Sequence, residues 1–381
     1  MLGKLSVLVG VVALMWAHTW PLLKLSGLLT TVTPVNTERC KPIKTSADEF
    51  RNCEDFALSP AEPGVAYFSC DPAREFVNVV LGANFSTRSS PSIQAGHIWR
   101  VDYNEEPAEV QMVDHMHGDF HPLGLAFDGV HRLVVINIKH HNKAAIEIFD
   151  ASDKNNIAHV RTLENPEIYN PNSVHILQNE KYRAQDGTPS FFFTRDHYSV
   201  SRIAKSVELF SMLPISHVMF YDARTDKVYP VMGGFNIPNG LAGDESTLFV
   251  AETGKLDVHR YKIVQHDAEG TVKLEFVTKV SVDMLPDNLH YLPETGDVIV
   301  AGHPKGLTFS KFAMSAPPRR MQPPSQVDIW HTSNQTVETV FADSGALYGG
   351  SSTAAIDPDH RKLLITGLYE DGALICDVDG I

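Results

Sequence analysis

Four cysteines in 381 residues are few, and none stands in a Cys-x-x-Cys pair, so the spacing of a structural zinc site is missing. Also missing are the Gly-x-Ser-x-Gly elbow, the phosphate-cradling Gly-x-x-x-x-Gly-Lys-Ser/Thr loop, the Gly-x-Gly-x-x-Gly turn and the His-Glu-x-x-His helix, which removes four common catalytic and nucleotide-binding classes. Basic residues are in deficit. Thirty-two Lys and Arg against 46 Asp and Glu leave a charge of −14, with no basic block. Such a surface repels phosphate backbones and argues against nucleic acid as a partner, while it suits the gathering of a cation. With 43% hydrophobic and 20% charged residues the chain is ordinary globular material, long enough for two average domains or one large propeller or barrel.

Residues 1–32 differ from the rest. Leu5–Trp16 is an apolar run behind Lys4, and Trp20–Val32 is apolar apart from Lys24, Ser26 and two threonines. A short apolar core behind a positive residue is what secretory entry requires. Uncleaved, Leu5–Leu29 approaches the roughly 20 residues that span a bilayer, so the segment reads as a signal peptide or a signal anchor, with association to a membrane. The folded part is then 33–381, in the secretory pathway, either secreted or anchored outside the cytosol. In that setting the even cysteine count suggests disulfides. A bridge from Cys40 to Cys376 would close a loop of over 300 residues, leaving Cys53 and Cys70 to pair locally. Asn84-Phe85-Ser86 and Asn334-Gln335-Thr336 are glycosylation sequons.

Past residue 50 the chain is a series of short β-runs divided by Gly, Asp, Asn and Pro, among them Arg132–Asn137, Thr247–Ala251, Asp297–Ala301 and Lys362–Thr366. Several share one layout: a polar or small start, an apolar strand, an acidic or glycine turn, and a second apolar strand. Equivalent points at Glu54, Gly124, Asn172, Asn239, Asn288 and Ser352 are separated by 70, 48, 67, 49 and 64 residues. Six units of this kind predict an all-β six-bladed propeller, the longer steps holding longer loops. A pair of β-sandwiches would not explain the shared phase. The best helix candidate is Arg202–Leu213, with Ile203, Val207, Phe210 and Leu213 roughly on one face, and Pro317–Pro324 reads as a loop.

Glu54, Asn172, Asn239, Asp287 and Asn288 open these units, and all are oxygen donors. In a propeller the innermost strands line the axis, so residues at matching ends converge there. Two carboxylates and three amides suit Ca²⁺, which takes 6–8 oxygens, and the lack of soft ligands disfavours zinc or copper at this place. A separate His115-x-His117-x-x-x-His121 cluster has the donors for a transition metal.

These residues carry a resemblance to the paraoxonase/arylesterase family, running from about Cys40 to Cys376. It rests on Cys53-Glu54-Asp55, Pro122-Leu123-Gly124-Leu125, Asn172, Thr194-Arg195-Asp196-His197-Tyr198, Asn239-Gly240, Asp287-Asn288, Glu294-Thr295-Gly296-Asp297, His303-Pro304 and Gly350-Ser351. The resemblance implies a six-bladed propeller with a calcium in its central tunnel, hydrolysis of lactones and esters, and an apolar N-terminus retained as an anchor. It puts the calcium ligands on Glu54, Asn172, Asn239, Asp287 and Asn288, and the disulfide on Cys40 and Cys376. A second, structural calcium would use Asp55 and the backbone oxygen of Leu125, but its other carboxylate falls on Ser173. The family's histidine pair, which deprotonates water, falls on Leu123 and Ile138, neither of which moves a proton. His121, on the strand face of Leu123, and His140 and His141 just past Ile138 are nearby substitutes.

The expectation is a calcium-dependent hydrolase of lactones or aryl esters acting on a small hydrophobic substrate. Asp287, His303 and His197 are the candidate catalytic groups, and the helix at Arg202–Leu213 forms part of the wall. Two alternatives use the same residues. In one the metal assists epoxide opening or cyclisation of a polyketide-like metabolite. In the other the propeller is non-catalytic, stabilised by calcium, and binds a ligand or protein.

Overall fold

The computed structural model describes residues 19–78, 83–84, 95–140, 143–265, 271–316 and 322–378. It contains six four-stranded antiparallel sheets arranged as the blades of a propeller. Their innermost strands are Cys53–Leu58, Pro122–Phe127, Pro171–Ile176, Pro238–Gly243, Leu285–Leu292 and Ser351–Asp357, which begin blades 1 to 6. These are the six units read from the sequence.

The second strand of each blade is buried on both faces, so it is apolar almost without interruption rather than alternating, while the outermost strands are more exposed. The pleat then assigns successive residues to opposite neighbours. In blade 3, Phe191 and Phe193 pack toward blade 2 with Val134, Ile136 and Ile148. Phe192, between them, packs toward blade 4 with Leu248 and Val250. One such hydrophobic cluster fills each of the six blade interfaces.

The ring closes inside blade 6. Its outermost strand is Cys40–Ile43, paired antiparallel with Ala373–Asp377 from the other end of the chain. Cys40 lies opposite Cys376 in that register, and the two form a disulfide. Cys53 and Cys70 form the second, across the first two strands of blade 1. No described cysteine is free.

Two helices stand on the ring, α1 (Arg202–Ser211) and α2 (Gly306–Ala313). Ser201 caps α1 by accepting from the Ala204 amide. A third helical stretch covers residues 19–26, and there Leu25 is buried against Leu256 and Leu285. The end of the segment expected to stand apart therefore packs on blades 4 and 5. The apolar run Leu5–Trp16 lies outside the described residues, as does His141. Among the described residues no helix is long and apolar enough to cross a membrane. Asn84 sits on a short strand, and Asn334 is exposed in a turn where its side chain accepts from Thr336.

The disulfide at the closing blade fixes a sequence separation of 336 residues. The Cys40→Ala/Cys376→Ala double variant is expected to lose roughly 4–5 kcal/mol of stability through the freed unfolded state, read from the urea midpoint. An unchanged midpoint would show that strand pairing alone holds the ring.

Candidate functional site

A bulge interrupts the pairing of each innermost strand at the same place. The register shifts between Cys53 and Asp55, Pro122 and Leu125, Pro171 and Val174, Pro238 and Leu241, Pro286 and Leu289, and Ser351 and Thr353. A bulge re-aims the side chains of the extra residues. Those residues include Glu54, Leu123, Asn172, Asn239, Asp287, Asn288 and Ser352, so the candidate ligands are the bulged positions of the ring. Glycine makes the crowding tolerable. A Cβ on Gly124 would meet the Asn172 carbonyl oxygen at 2.4 Å, and one on Gly240 the Asp287 carbonyl oxygen at 2.5 Å.

All five candidate ligands are buried. Asn288 donates to Glu54 Oε1 at 2.9 Å, and the Glu54 carbonyl accepts from Ser352 at 2.6 Å. Yet Glu54 Oε2 and the Oδ1 atoms of Asn172, Asn239 and Asn288 are buried with no hydrogen-bond partner. An unmet buried acceptor costs about 1–3 kcal/mol, so four on the inner strands of one ring need an explanation. A hard cation with oxygen ligands supplies one, because all four atoms are oxygen donors. Burial, then Asp55 and Asp287, push the Glu54 carboxyl well above the usual carboxylate range. Arg74, buried with its guanidinium on the carbonyls of Asn52 and Pro122, opposes that shift.

Asp55 is placed differently. Its Oδ2 accepts from the Leu125 amide at 3.0 Å, and its Oδ1 from Phe56 N at 2.8 Å and Thr353 Oγ1 at 2.9 Å. Burial still raises it to about 7, against those hydrogen bonds. Ser173 accepts from the Leu241 amide at 3.0 Å. The oxygens of this second set therefore have protein donors, unlike those of the first.

One cavity on the axis is lined by Glu54, Asn172, Asn239 and Asp287 and also by His197 and His303. The three candidate catalytic side chains thus share it. His303 Nε2 is 3.0 Å from Asp287 Oδ2, and the imidazole stacks on Phe309 with centroids 3.6 Å apart. His303 Nδ1 is buried without a partner. His197 Nδ1 lies 3.0 Å from Asp196 Oδ1. Leu123, Leu209, Ile237, Leu285, Phe309 and Leu368 make much of the remaining wall apolar, with Arg74, Asp196, Thr253 and Ser310 as its polar members. Arg74, Phe309 and Tyr369 were not singled out in the sequence, since each belongs to a blade connection whose only signal is its distance from the strands.

Three expectations are corrected. His121 does not share the cavity with Leu123: it precedes the strand, the bulge after Pro122 breaks the alternation, and its ring turns to Asp71. Ile138 packs in the core between blades 2 and 3 rather than in the cavity wall. The face of α1 carrying Ile203 and Val207 is exposed, at 79% and 55%, while Lys205 and Glu208 are buried. Glu208 accepts from the amides of Tyr198 and Ser199, at 2.9 and 2.7 Å, so a polar contact holds the helix down and turns its apolar side outward. Leu209 does reach the cavity wall. The Phe210 side chain lies outside the described set. His115 and His117 are exposed, apart from His121.

A six-bladed propeller with bulged oxygen donors at its axis defines a class in which the site is carried by the strand ends around a central cavity. The arylesterase family profile matches residues 83–378, and the chain belongs to this family, that of the paraoxonases. It is 26% identical to rabbit (Oryctolagus cuniculus) serum paraoxonase/lactonase 3 over 286 residues, 72% of this chain and 75% of the relative. It is 25% identical to rat (Rattus norvegicus) serum paraoxonase/arylesterase 1 over 359 residues, 91% of each. Among solved structures, a gluconolactonase-like protein aligns over 92% of this chain and 98% of its own with a TM-score of 0.50 at 16% identity. A luciferin-regenerating enzyme aligns over 92% and 96% with the same TM-score at 12% identity. At those identities the structures share the fold.

Gly240→Ala forces a Cβ to within 2.5 Å of the Asp287 carbonyl and 2.6 Å of Asn288 Cα. It is expected to cost about 1–3 kcal/mol as an overpacking change, measured by thermal or urea unfolding. No loss of stability would show that the two inner strands can separate freely.

Proposed function

We propose that the protein is a calcium-dependent hydrolase of lactones or aryl esters with an apolar substrate. The observation that carries this reading is the set of unpartnered buried oxygens of Glu54, Asn172, Asn239 and Asn288 beside the Asp287–His303 pair in an apolar-walled cavity. Membership of a family whose relatives are named as lactonases and arylesterases supports it. Glu54, Asn172, Asn239, Asp287 and Asn288 would hold one calcium. The bound ion supplies Lewis-acid stabilisation to the oxygen on which negative charge develops.

The protein's own groups handle the proton. With Nε2–H donated to Asp287, the lone pair of His303 is on Nδ1, where no described residue meets it. His303 takes a proton from water there as the water oxygen bonds to the acyl carbon. The acyl C–O bond breaks, and the same nitrogen returns the proton to the leaving oxygen. Stacking on Phe309 fixes the imidazole plane. Asp196 and His197 also stand on the cavity wall, with Nδ1 3.0 Å from Oδ1, but neither of those atoms makes a hydrogen bond among the described residues, so the imidazole is not held as His303 is. Leu123, Leu209 and Leu285 favour an apolar acyl or alkyl group and exclude water from it.

A second reading is favoured by Leu123, which stands in the cavity wall where the resemblance puts a histidine. In that reading an ion held by the same five residues would supply Lewis-acid assistance to epoxide opening or to a cyclisation, or would only brace the blades while the upper face binds a ligand. Two disulfides fit an oxidising compartment. Contact with a membrane is supported by the exposed apolar residues Leu28, Leu29, Ile203, Val207 and Leu213. The stretches that bear them meet where Leu22 and Leu209 pack around Leu25.

Turnover of a panel of aryl esters, lactones and an epoxide, with calcium and then a chelator, tests the main reading. Loss on chelation and recovery with calcium is expected, with acyl substrates best. His303→Gln should lower kcat by about 10²–10⁴-fold while calcium still raises the melting temperature, and Asp287→Ala should lose both effects. Stabilisation by calcium with no turnover of any substrate would favour the non-catalytic reading. Ile203→Ser/Val207→Ser is expected to weaken partition onto neutral phospholipid vesicles by about a hundredfold or more, since each buried apolar side chain contributes about 1.5–3 kcal/mol and about 1.4 kcal/mol is tenfold. Equal partition would place the contact elsewhere.

A further inference from the structure

Outside the axial cavity, at the start of blade 2, Asp119, His121 and His140 converge. Asp119 and His121 precede the inner strand Pro122–Phe127, and His140 follows the next strand, Arg132–Lys139. One potential ligand atom from each lies within 4.8 Å of the others. His121 Nε2 is 3.6 Å from Asp119 Oδ1, and His140 Nδ1 is in direct contact with the same carboxylate. Asn137 fixes the backbone on both sides of the site. It accepts from the His121 amide at 2.9 Å and donates to the Asp119 carbonyl at 3.2 Å.

His121 distinguishes this group from a surface ion pair. The residue is 3% exposed, and its Nε2 is buried with no hydrogen-bond partner among the described residues. Its Nδ1 is already engaged, 3.1 Å from Oδ2 of buried Asp71. Asp71 is itself fixed, accepting from the Ala73 amide at 3.0 Å through its other oxygen. With Nδ1–H on Asp71, the Nε2 lone pair faces Asp119 and has no donor to accept from. A carboxylate holding the far nitrogen of an imidazole is the usual second contact of a histidine metal ligand. Two ligands of a tetrahedral zinc with bonds of about 2.0–2.1 Å stand about 3.4 Å apart, near the His121–Asp119 separation. The half-exposed Asp119 side chain leaves that side open to a water as fourth ligand.

We propose that Asp119, His121 and His140 form a transition-metal site that takes one divalent ion of the zinc type, separate from the oxygen site on the axis. Two imidazole nitrogens and one carboxylate suit zinc, nickel or copper and lack the oxygens that calcium requires. The ion joins the loop ahead of Pro122 to the end of the strand at His140. That loop enters the strand bearing Leu123, so the metal stiffens one edge of the axial cavity. Asp71 is a positioning residue, acting through the His121 ring.

The test is zinc titration of the full-length protein by calorimetry, after stripping with a chelator and with calcium saturating. Substitution by Co²⁺ reports the ligand field by absorption. One zinc per chain is expected in the wild type, with the visible absorption of a four-coordinate nitrogen and oxygen site for cobalt. His140→Ala and Asp119→Asn, both at partly exposed side chains, should weaken zinc by tenfold or more while thermal melting confirms the fold. Asp71→Asn should weaken it about 10–100-fold, and Glu54→Gln should leave it unchanged. No zinc uptake by the wild type, the result for a histidinium held between Asp71 and Asp119, would overturn the proposal. So would equal zinc affinity in His140→Ala and Asp119→Asn, or loss of zinc in Glu54→Gln, which would place the ion on the axis.

Discussion

Everything at the centre of this molecule depends on the closing of a ring. Blade 6 takes its outermost strand from Cys40–Ile43 and its other three from residues 351–377, so the first and last parts of the fold are hydrogen-bonded neighbours. Closure forces six inner strands to face one axis. Their backbones then crowd, and Gly124 and Gly240 lie where a Cβ would strike the next strand. A bulge in every inner strand relieves the register and turns the extra residues toward the axis. The site is thus a product of how the ring is closed, and no loop has to fold over it to bring the axial oxygens together.

The axis concentrates cost as well as function. Glu54 and Asp55 sit deep in the ring with Asp287 nearby, and burial raises both of the first two carboxyls. Four oxygens of the candidate ligand residues have no donor among the described residues. The neighbouring Asp55 and Ser173 have theirs supplied by Leu125, Thr353 and Leu241, so the protein treats two adjacent sets of oxygens in different ways. One is left open to a cation and the other is internally satisfied. Around the open set, the wall from Leu123, Leu209, Leu285 and Phe309 lowers the local dielectric, which strengthens any interaction with a developing charge.

The upper face shows the same division of labour between polar and apolar contacts. Helix α1 is held by the buried carboxylate of Glu208 on two backbone amides, and it exposes Ile203 and Val207. Leu209 also passes inward, to the cavity and to Leu25 of the N-terminal helical stretch. The helix is held by polar contacts, those of Glu208 and the donation from Asn236 to the Glu208 and Leu213 carbonyls, while Ile203 and Val207 stay exposed.

Much of the fold was legible in the chain. The shared phase of Glu54, Gly124, Asn172, Asn239, Asn288 and Ser352 follows from period-two strands, each beginning with a polar or small residue, and it specified six blades without any contact being known. The same phase grouped the oxygen donors, because in a closed ring equivalent positions meet. What the chain could not specify was orientation. A helical wheel for α1 does not say which face is down, since that depends on Glu208 finding amides at Tyr198 and Ser199. Strand alternation placed His121 with Leu123, but a bulge shifts the alternation by one and sends His121 to Asp71. Asp119 and His140, 21 residues apart, meet only because a β-hairpin returns the chain to that point. Composition and periodicity are local, and they specified the blades and the oxygen-bearing residues at the axis. Contacts across the ring are long-range, and only the folded backbone decided which side chains share a cavity.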